Sequence, residues 1–316
     1  MREAGGLGDA VRLTVAFRGL REKYPDSKIV VYSPKPYHFL YLADGSADML
    51  MDAPMEKRRP RNHYPDETKW PYLKPPEGIG KFDLTYDFYD PAFRYEMLSK
   101  GKVKKDRIEL WCEEAKVTPK SMCPSLKIPP LVQKAAIDLL ALYQIDFTKP
   151  IVALQPFSTD PARDWNKNSF LKLANALKSL GINVVIIDYV IGRVRMFNAH
   201  TVLAKQNLQV LGGILSLCDL VVGPDSGINH YAAAVNTAGL GLCASQSGAI
   251  LYKHYPKHEY IQASSCGPCF WSRPAKCTRQ ALKKAGKICA AMETITVGQV
   301  LNKALSMLKQ RFLFLR

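Results

Sequence analysis

The segment from Leu217 to Val235 restricts this chain to few architectures. Leu217-Cys218-Asp219-Leu220-Val221-Val222 is a short apolar run that reads as a buried strand, and the Ala-rich stretch after Gly227 reads as a helix. Gly223-Pro224-Asp225-Ser226-Gly227 is then a turn between the carboxyl end of a strand and the first turn of a helix. In an open α/β sheet ligands bind at that place, because the free N–H groups and positive dipole end of the helix face the crevice. The glycines let a ligand approach the backbone, and Asp225, Ser226 and His230 add polar contacts. A capped strand–helix turn with a core histidine would produce the same pattern without a ligand.

The same unit recurs through the second half. Ile151–Gln155 reads as a strand, Pro156–Trp165 as a polar loop, and Ser169–Leu180 as a helix that Gly181 stops. Asn183–Tyr189 is the next strand, Leu208–Leu211 a shorter one, and Gly239–Ala244 another that runs into Ser245-Gln246-Ser247-Gly248. Strand–loop–helix repeats predict a mainly parallel sheet. The first half opens with Gly5-Gly6-Leu7-Gly8-Asp9, a helix over Ala10–Tyr24 that Pro25 ends, and a strand over Lys28–Ser33. Only four residues precede that loop, too few for a central strand, so the first strand is either cut short or vestigial. Asp9 is read either as a loop carboxylate facing the crevice or as a helix N-cap. Six prolines in 51–80 predict a long surface loop, a candidate for binding an acceptor. Beyond it, Phe82–Phe88 alternates as a strand, 106–117 and 131–143 read as helices, and 143–150 reads as a linker.

With 316 residues the chain exceeds one ordinary domain, and the linker divides it into 1–147 and 148–316. The net charge of +16 favours anionic partners: nucleotide phosphates, acidic glycolipid, an anionic membrane surface or nucleic acid. Residues 266–316 hold ten Lys/Arg against one acid, Glu293, a bias that a solvated basic face also explains. The longest apolar run, Ile182–Ile191, falls short of the roughly 18 residues of a membrane span and is broken by Asn183 and Asp188. Met1-Arg2-Glu3-Ala4 carries no signal core, so the expectation is a cytoplasmic protein, with attachment to the inner membrane face left open.

Cys112, Cys123, Cys218 and Cys243 are scattered as buried thiols usually are. Cys266, Cys269, Cys277 and Cys289 are clustered, and a Cys-x-x-Cys pair closed by two later thiols suits a tetrahedral metal site. Four sulfurs leave no open position, so such a site would be structural, and its ligands do not separate iron from zinc. Free or disulfide-paired cysteines are the alternative.

Together these motifs resemble glycosyltransferase family 9, the ADP-heptose heptosyltransferases of bacterial surface glycans. The resemblance rests on Gly6-Leu7-Gly8-Asp9 with Thr14, on Tyr24–Ile29, and on Arg163-Asp164-Trp165-Asn166 in place of a Lys-x-Trp-Pro motif. It rests also on Asp225-Ser226-Gly227 with His230, on the cysteine segment, and on Ile295-Thr296-Val297. It implies a GT-B fold: two facing Rossmann-like domains with mainly parallel sheets, acceptor on the first and ADP-sugar on the second. It further implies inverting transfer without a catalytic metal, with Asp9 as general base and Gly6, Gly8 and Thr14 on the acceptor side. Arg163, Asp225, Ser226, Gly227 and His230 would hold the donor, with Ser245 and Ser247 after the next strand, where the usual Phe-Gly-x-Thr is replaced. His230 either orients the turn or packs beneath it. The implied acceptor is a lipopolysaccharide-core hydroxyl. A protein serine is the alternative, since autotransporter heptosyltransferases of this family carry an iron-bound four-cysteine motif. A non-catalytic nucleotide-sugar or polyanion-binding protein is a further alternative, and a nucleic-acid partner is suggested by charge alone.

Overall fold

The computed structural model describes residues 6–53, 81–88, 90–100, 102–270 and 272–313. Its first element, α1 (Leu7–Lys23), is buried on nearly every face, from Ala10 through Phe17 and again at Gly19 and Leu20. A helix apolar around its whole circumference belongs in an interior, and here it carries Arg12 and Thr14 in with it. Gly8 and Asp9 lie in the first turn of α1 and not in a loop before it. The N-cap is Gly6, so Asp9 is not the cap that its position in sequence allows.

The parallel pair β1 (Val30–Ser33) and β2 (Met49–Asp52) is joined through α2 (His38–Asp44), which ends at Gly45 in the left-handed region with φ of 76°. Strand β2 therefore occupies the start of the expected 51–80 loop, whose remainder, 54–80, lies outside the described residues. Phe82–Phe88 is not a strand: Phe88 turns into the core beside Phe17, and Trp111 donates to its carbonyl at 2.9 Å. Next come α3 (Asp90–Leu98), α4 (Arg107–Ala115) and α5 (Pro130–Leu142). An Asp106/Glu109 capping box fixes the start of α4.

The second half runs β3 (Ile151–Leu154), α6 (Lys167–Ser179), β4 (Asn183–Asp188), β5 (Thr201–Ala204), α7 (Leu208–Leu217), β6 (Leu220–Pro224) and α8 (Gly227–Ala234). It continues with β7 (Ala238–Cys243), α9 (Gly248–Leu251), β8 (His258–Gln262), α10 (Arg279–Ala285) and α11 (Val297–Leu313). All pairings in the sheet are parallel, in the order β5-β4-β3-β6-β7-β8. The chain winds outward from β3 to β5, returns to β6, and winds out the other way. The crevice between the carboxyl ends of β3 and β6 is thus the topological switch point.

Successive residues of the central strands are buried in opposite cores. Val152, Leu154, Val184, Ile186, Leu220 and Val222 pack with α6 and α11, while Ile151, Ala153, Val185, Ile187 and Val221 share a core with α1, α5, α7 and α8. That second core is continuous across both halves of the chain. Helix α5, ahead of the 143–150 linker, lies on α7 so closely that a Cβ on Gly213 would meet Ala136 Cβ at 2.9 Å.

Three readings from sequence change here. Leu208–Leu211 opens a helix, because Asn207 accepts from Val210 N–H at 2.9 Å and caps it. The following strand consequently starts at Leu220 and not Leu217. The edge strands β5 and β8 are short and half-buried, so they lack the apolar run that marks a central strand. Among the described residues no helix is long and apolar enough to cross a membrane.

Trp165 locks the loop after β3 onto the far face of the sheet. It is 1% exposed, meets Phe170 edge-on at 4.9 Å, and donates Nε1–H to Ile295 O at 2.8 Å. Trp165→Ala removes that volume and orphans the Ile295 carbonyl, so urea denaturation is expected to show a loss of about 3–5 kcal/mol.

Candidate active site

The amino ends of α1 and α8 meet above the switch point, and glycines make the approach feasible. A Cβ on Gly8 would lie 2.7 Å from His230 Cδ2 and 3.2 Å from Gly227 Cα. A Cβ on Gly227 would lie 2.8 Å from Leu7 Cβ and 2.9 Å from Gly8 N. Neither helix has a side-chain N-cap. Ser226, at the N-cap position of α8, sends its hydroxyl instead to Gln155 Oε1 at the end of β3. First-turn N–H groups of both helices are therefore left without side-chain caps, facing one region with their positive ends.

Each end also brings a carboxylate, Asp225 buried and Asp9 partly so. Asp225 Oδ2 accepts from Gln246 Nε2 at 2.7 Å, with Arg163 Nη1 3.6 Å from the same oxygen and His230 Nε2 3.8 Å from Oδ1. Burial acts to raise the Asp225 pKa, and His230, Arg163 and Arg12 outweigh it and bring it down to about 2. Arg163 is anchored by donating to Asp225 O at 2.9 Å and to Thr159 Oγ1 at 3.0 Å. Burial lowers the His230 pKa, so the imidazole is neutral at pH 7. The buried Tyr255 phenol is held protonated and lies 2.8 Å from Nδ1. Donation from that phenol leaves Nε2–H directed at Asp225. His230 thus does both things expected of it, packing against Tyr255 and Tyr252 while orienting the turn.

Asp9 accepts from Arg107 Nη1 at 2.6 Å. Burial would raise its pKa, but Arg107 and Arg12 hold it below the usual carboxylate range. Arg12 is paired in turn with Asp106. A cavity of about 420 Å³ opens beside these groups, lined by Arg12, Lys104, Arg107, Ser245, Ser247 and Phe270 among others. Gln246 and Arg107 also line it, so each carboxylate is one hydrogen bond from its wall.

Asp9, Gly8, Arg163, Asp225, Ser226, Gly227 and His230 are gathered at one place, with Ser245 and Ser247 on the cavity wall. Gly6 caps α1 with open space around it. Thr14 is buried within α1, its hydroxyl donating to Val11 O at 2.7 Å. Sequence reasoning missed Gln155, Gln246, Arg107 and Tyr255, which lie far along the chain from the groups they touch. Arg12 did carry a signal, as a lone cation in an apolar helical stretch.

The four-cysteine segment abuts this site. Cys269 N–H donates to Ser245 O at 2.9 Å, and Arg273 bridges Asp160, at 2.6 Å, to Ser245 Oγ, at 3.2 Å. Burial raises the Cys269 thiol, and Cys266, Cys289 and Cys277 lie close enough to raise it further. Among the described residues no group of three or more His, Cys, Asp or Glu is arranged to hold a metal.

The model of glycosyltransferase family 9 (heptosyltransferase) matches residues 130–270. The lipopolysaccharide core heptosyltransferase OpsX of Haemophilus influenzae is 30% identical over 110 residues, 32% of this chain and 32% of that protein. The matched stretch thus spans about a third of that relative's length. A family 9 glycosyltransferase from Veillonella parvula superposes with a TM-score of 0.71 at 16% identity, covering 98% of this chain and 96% of that one. TibC of enterotoxigenic E. coli, described as a dodecameric iron-containing glycosyltransferase, superposes with a TM-score of 0.61 at 16% identity over 98% of this chain and 76% of that one. TibC has also been solved with ADP-D-β-D-heptose. The α/β, GT-B-type fold read from the motifs is borne out, and the family resemblance recurs over residues 130–270.

Asp225 is ionised in the fold with its pKa brought from 3.8 to about 2, so its contribution is complete above pH 3.8 and is lost as pH falls toward 2. Wild-type stability is expected to drop by roughly 2 kcal/mol more than that of Asp225→Asn across this window, read by urea denaturation at stepped pH.

Proposed function

We propose, from the premise that residues 130–270 carry a family 9 glycosyltransferase domain, that this chain transfers a sugar from an ADP-sugar to an acceptor hydroxyl with inversion. The donor is ADP-heptose and the acceptor a hydroxyl of lipopolysaccharide core. The observation that carries the reading is the meeting of two helix ends without side-chain caps at the switch point, with one carboxylate on each. Residues 1–147 supply the acceptor side through α1, and residues 148–316 supply the donor side through the β6–α8 turn.

In this mechanism the acceptor hydroxyl gives its proton to the Asp9 carboxylate while its oxygen bonds to the anomeric carbon. The bond from that carbon to the β-phosphate oxygen breaks, and its electron pair leaves with ADP. Charge growing on ADP meets the α8 N–H groups and Arg163, whose guanidinium can take two phosphate oxygens. Asp225 and Ser226 fix the donor against the turn, and His230 holds Asp225 in place. Asp9 is ionised at neutral pH and ready to accept a proton; its low proton affinity couples that transfer to C–O bond formation.

Cys266, Cys269, Cys277 and Cys289 would hold a structural iron or zinc ion. Its chemistry is to tie the four thiolates together, pinning the 266–289 segment against Ser245. No step of transfer runs through it. The superposition with iron-containing TibC and the clustering of four cysteines in one segment beside Ser245 support this assignment, and they favour a protein serine as the second acceptor reading. Elemental analysis of protein purified without chelator is expected to find about one metal per chain. Cys269→Ser is expected to lose that metal and to lower the melting temperature.

A thermal-shift titration with ADP, ADP-heptose, UDP-glucose and GDP-mannose tests the donor. ADP compounds alone are expected to stabilise, by about 2.7 kcal/mol at a hundredfold excess over Kd. Asp9→Ala should keep that shift and lose about 10²–10⁴-fold in transfer. Stabilisation by UDP-glucose instead, or undiminished transfer by Asp9→Ala, would remove the donor class or the base from the reading.

A further inference from the structure

The surroundings of Asp9 point to a pair of residues that act through it. Arg107 on α4 gives Nη1 to Asp9 Oδ1 at 2.6 Å and directs Nε and Nη2 to Glu96 Oε1 and Oε2 on α3 at 2.7 and 2.6 Å. Both partners are more than nine-tenths buried, and the Phe93 ring lies 4.7 Å from the guanidinium carbon. One edge of the guanidinium is spent on Glu96, so a single donor is aimed at Asp9. The second oxygen, Oδ2, makes no hydrogen bond among the described residues. Arg107 and Glu96 also line the 420 Å³ cavity, so this arrangement borders the space where an acceptor would enter.

Guanidinium and carboxylate prefer a two-pronged pair. With Glu96 absent, Arg107 could turn its fork onto both oxygens of Asp9 and occupy the atom that must take the proton. We propose that Glu96 and Arg107 are a positioning pair for Asp9: Glu96 holds the guanidinium so that it engages one carboxylate oxygen and leaves the other for the acceptor hydroxyl. This inference rests on the reading of Asp9 as the base. The groups facing Asp9 are Arg107 on α4, Arg12 on α1 and His230 on α8, with Glu96 and Asp106 behind the two arginines.

The two members of the pair have opposite electrostatic effects on Asp9, and this gives the test its sign. Arg107→Met removes a cation, so the acidic limb of kcat/KM is expected to move up by roughly 1–3 pH units. Glu96→Gln removes an anion and lets Arg107 close on Asp9, so the limb moves down while kcat falls. Carbon-13 NMR titration of the Asp9 carboxyl reads the same opposed shifts without turnover. A merely structural pair would lower the yield of folded enzyme and leave kcat of the folded variants at the wild-type value, whatever the electrostatic shift; that result overturns the proposal. Asp9→Asn separates the two levels of the argument. Full transfer by Asp9→Asn removes the base reading itself, whereas loss of transfer there with unchanged kcat in folded Glu96→Gln removes the positioning pair alone. If Arg107→Met does not fold, Glu96→Gln, of the same shape and still a hydrogen-bond acceptor, decides through its kcat.

Discussion

The contact between Gly8 and Gly227 is the constraint on which the site depends. Two helix ends meet with no room for a Cβ on either side. Bringing two positive dipole ends together is unfavourable unless negative charge is supplied, and Asp9 and Asp225 supply it from within three residues of the contact. Those carboxylates are largely withdrawn from water, Asp225 more than Asp9, at a desolvation cost of several kcal/mol per buried ion unless it is paired. Arg107, Arg12 and Arg163, with neutral His230 between the carboxylates, provide the pairing. Close backbone approach, buried acids and buried arginines thus require one another.

The same economy explains why the cations of the site are arginines. Three guanidiniums each serve two partners: Arg107 joins Asp9 to Glu96, Arg163 joins Asp225 to Thr159, and Arg273 joins Asp160 to Ser245. An ammonium is a point charge and cannot fork in this way. The overall positive charge lies elsewhere, on exposed residues such as Lys276, Arg279, Lys283, Lys284 and Lys287. Composition therefore points toward anionic partners in general and says little about the reaction centre.

Legibility in sequence followed burial. The central strands β3, β4, β6 and β7 were readable because both faces of a parallel strand are covered, which leaves a continuous apolar run. Edge strands β5 and β8 escaped because they are half-solvated. Leu208–Leu211 was misread because a short apolar run has no decisive period, and the Asn207 cap before it was the stronger signal. Asp9 looked like a cap because it follows glycines, yet the helix had already begun at Leu7.

By itself the sequence determined the strand–turn–helix units, the acidic turn after β6, the pairing of a glycine-rich start with Asp9, and the crowding of four thiols in one segment. These are local patterns, imposed by backbone stereochemistry and by the periodicity of burial. Only the tertiary structure decided what Asp9 and Asp225 touch. Arg107 lies 98 residues from Asp9, and Arg163 lies 62 residues from Asp225. Such contacts are set by how α1 and α4 pack and where the sheet reverses direction, and no spacing along the chain encodes them. The ionisation of both carboxylates follows from those contacts.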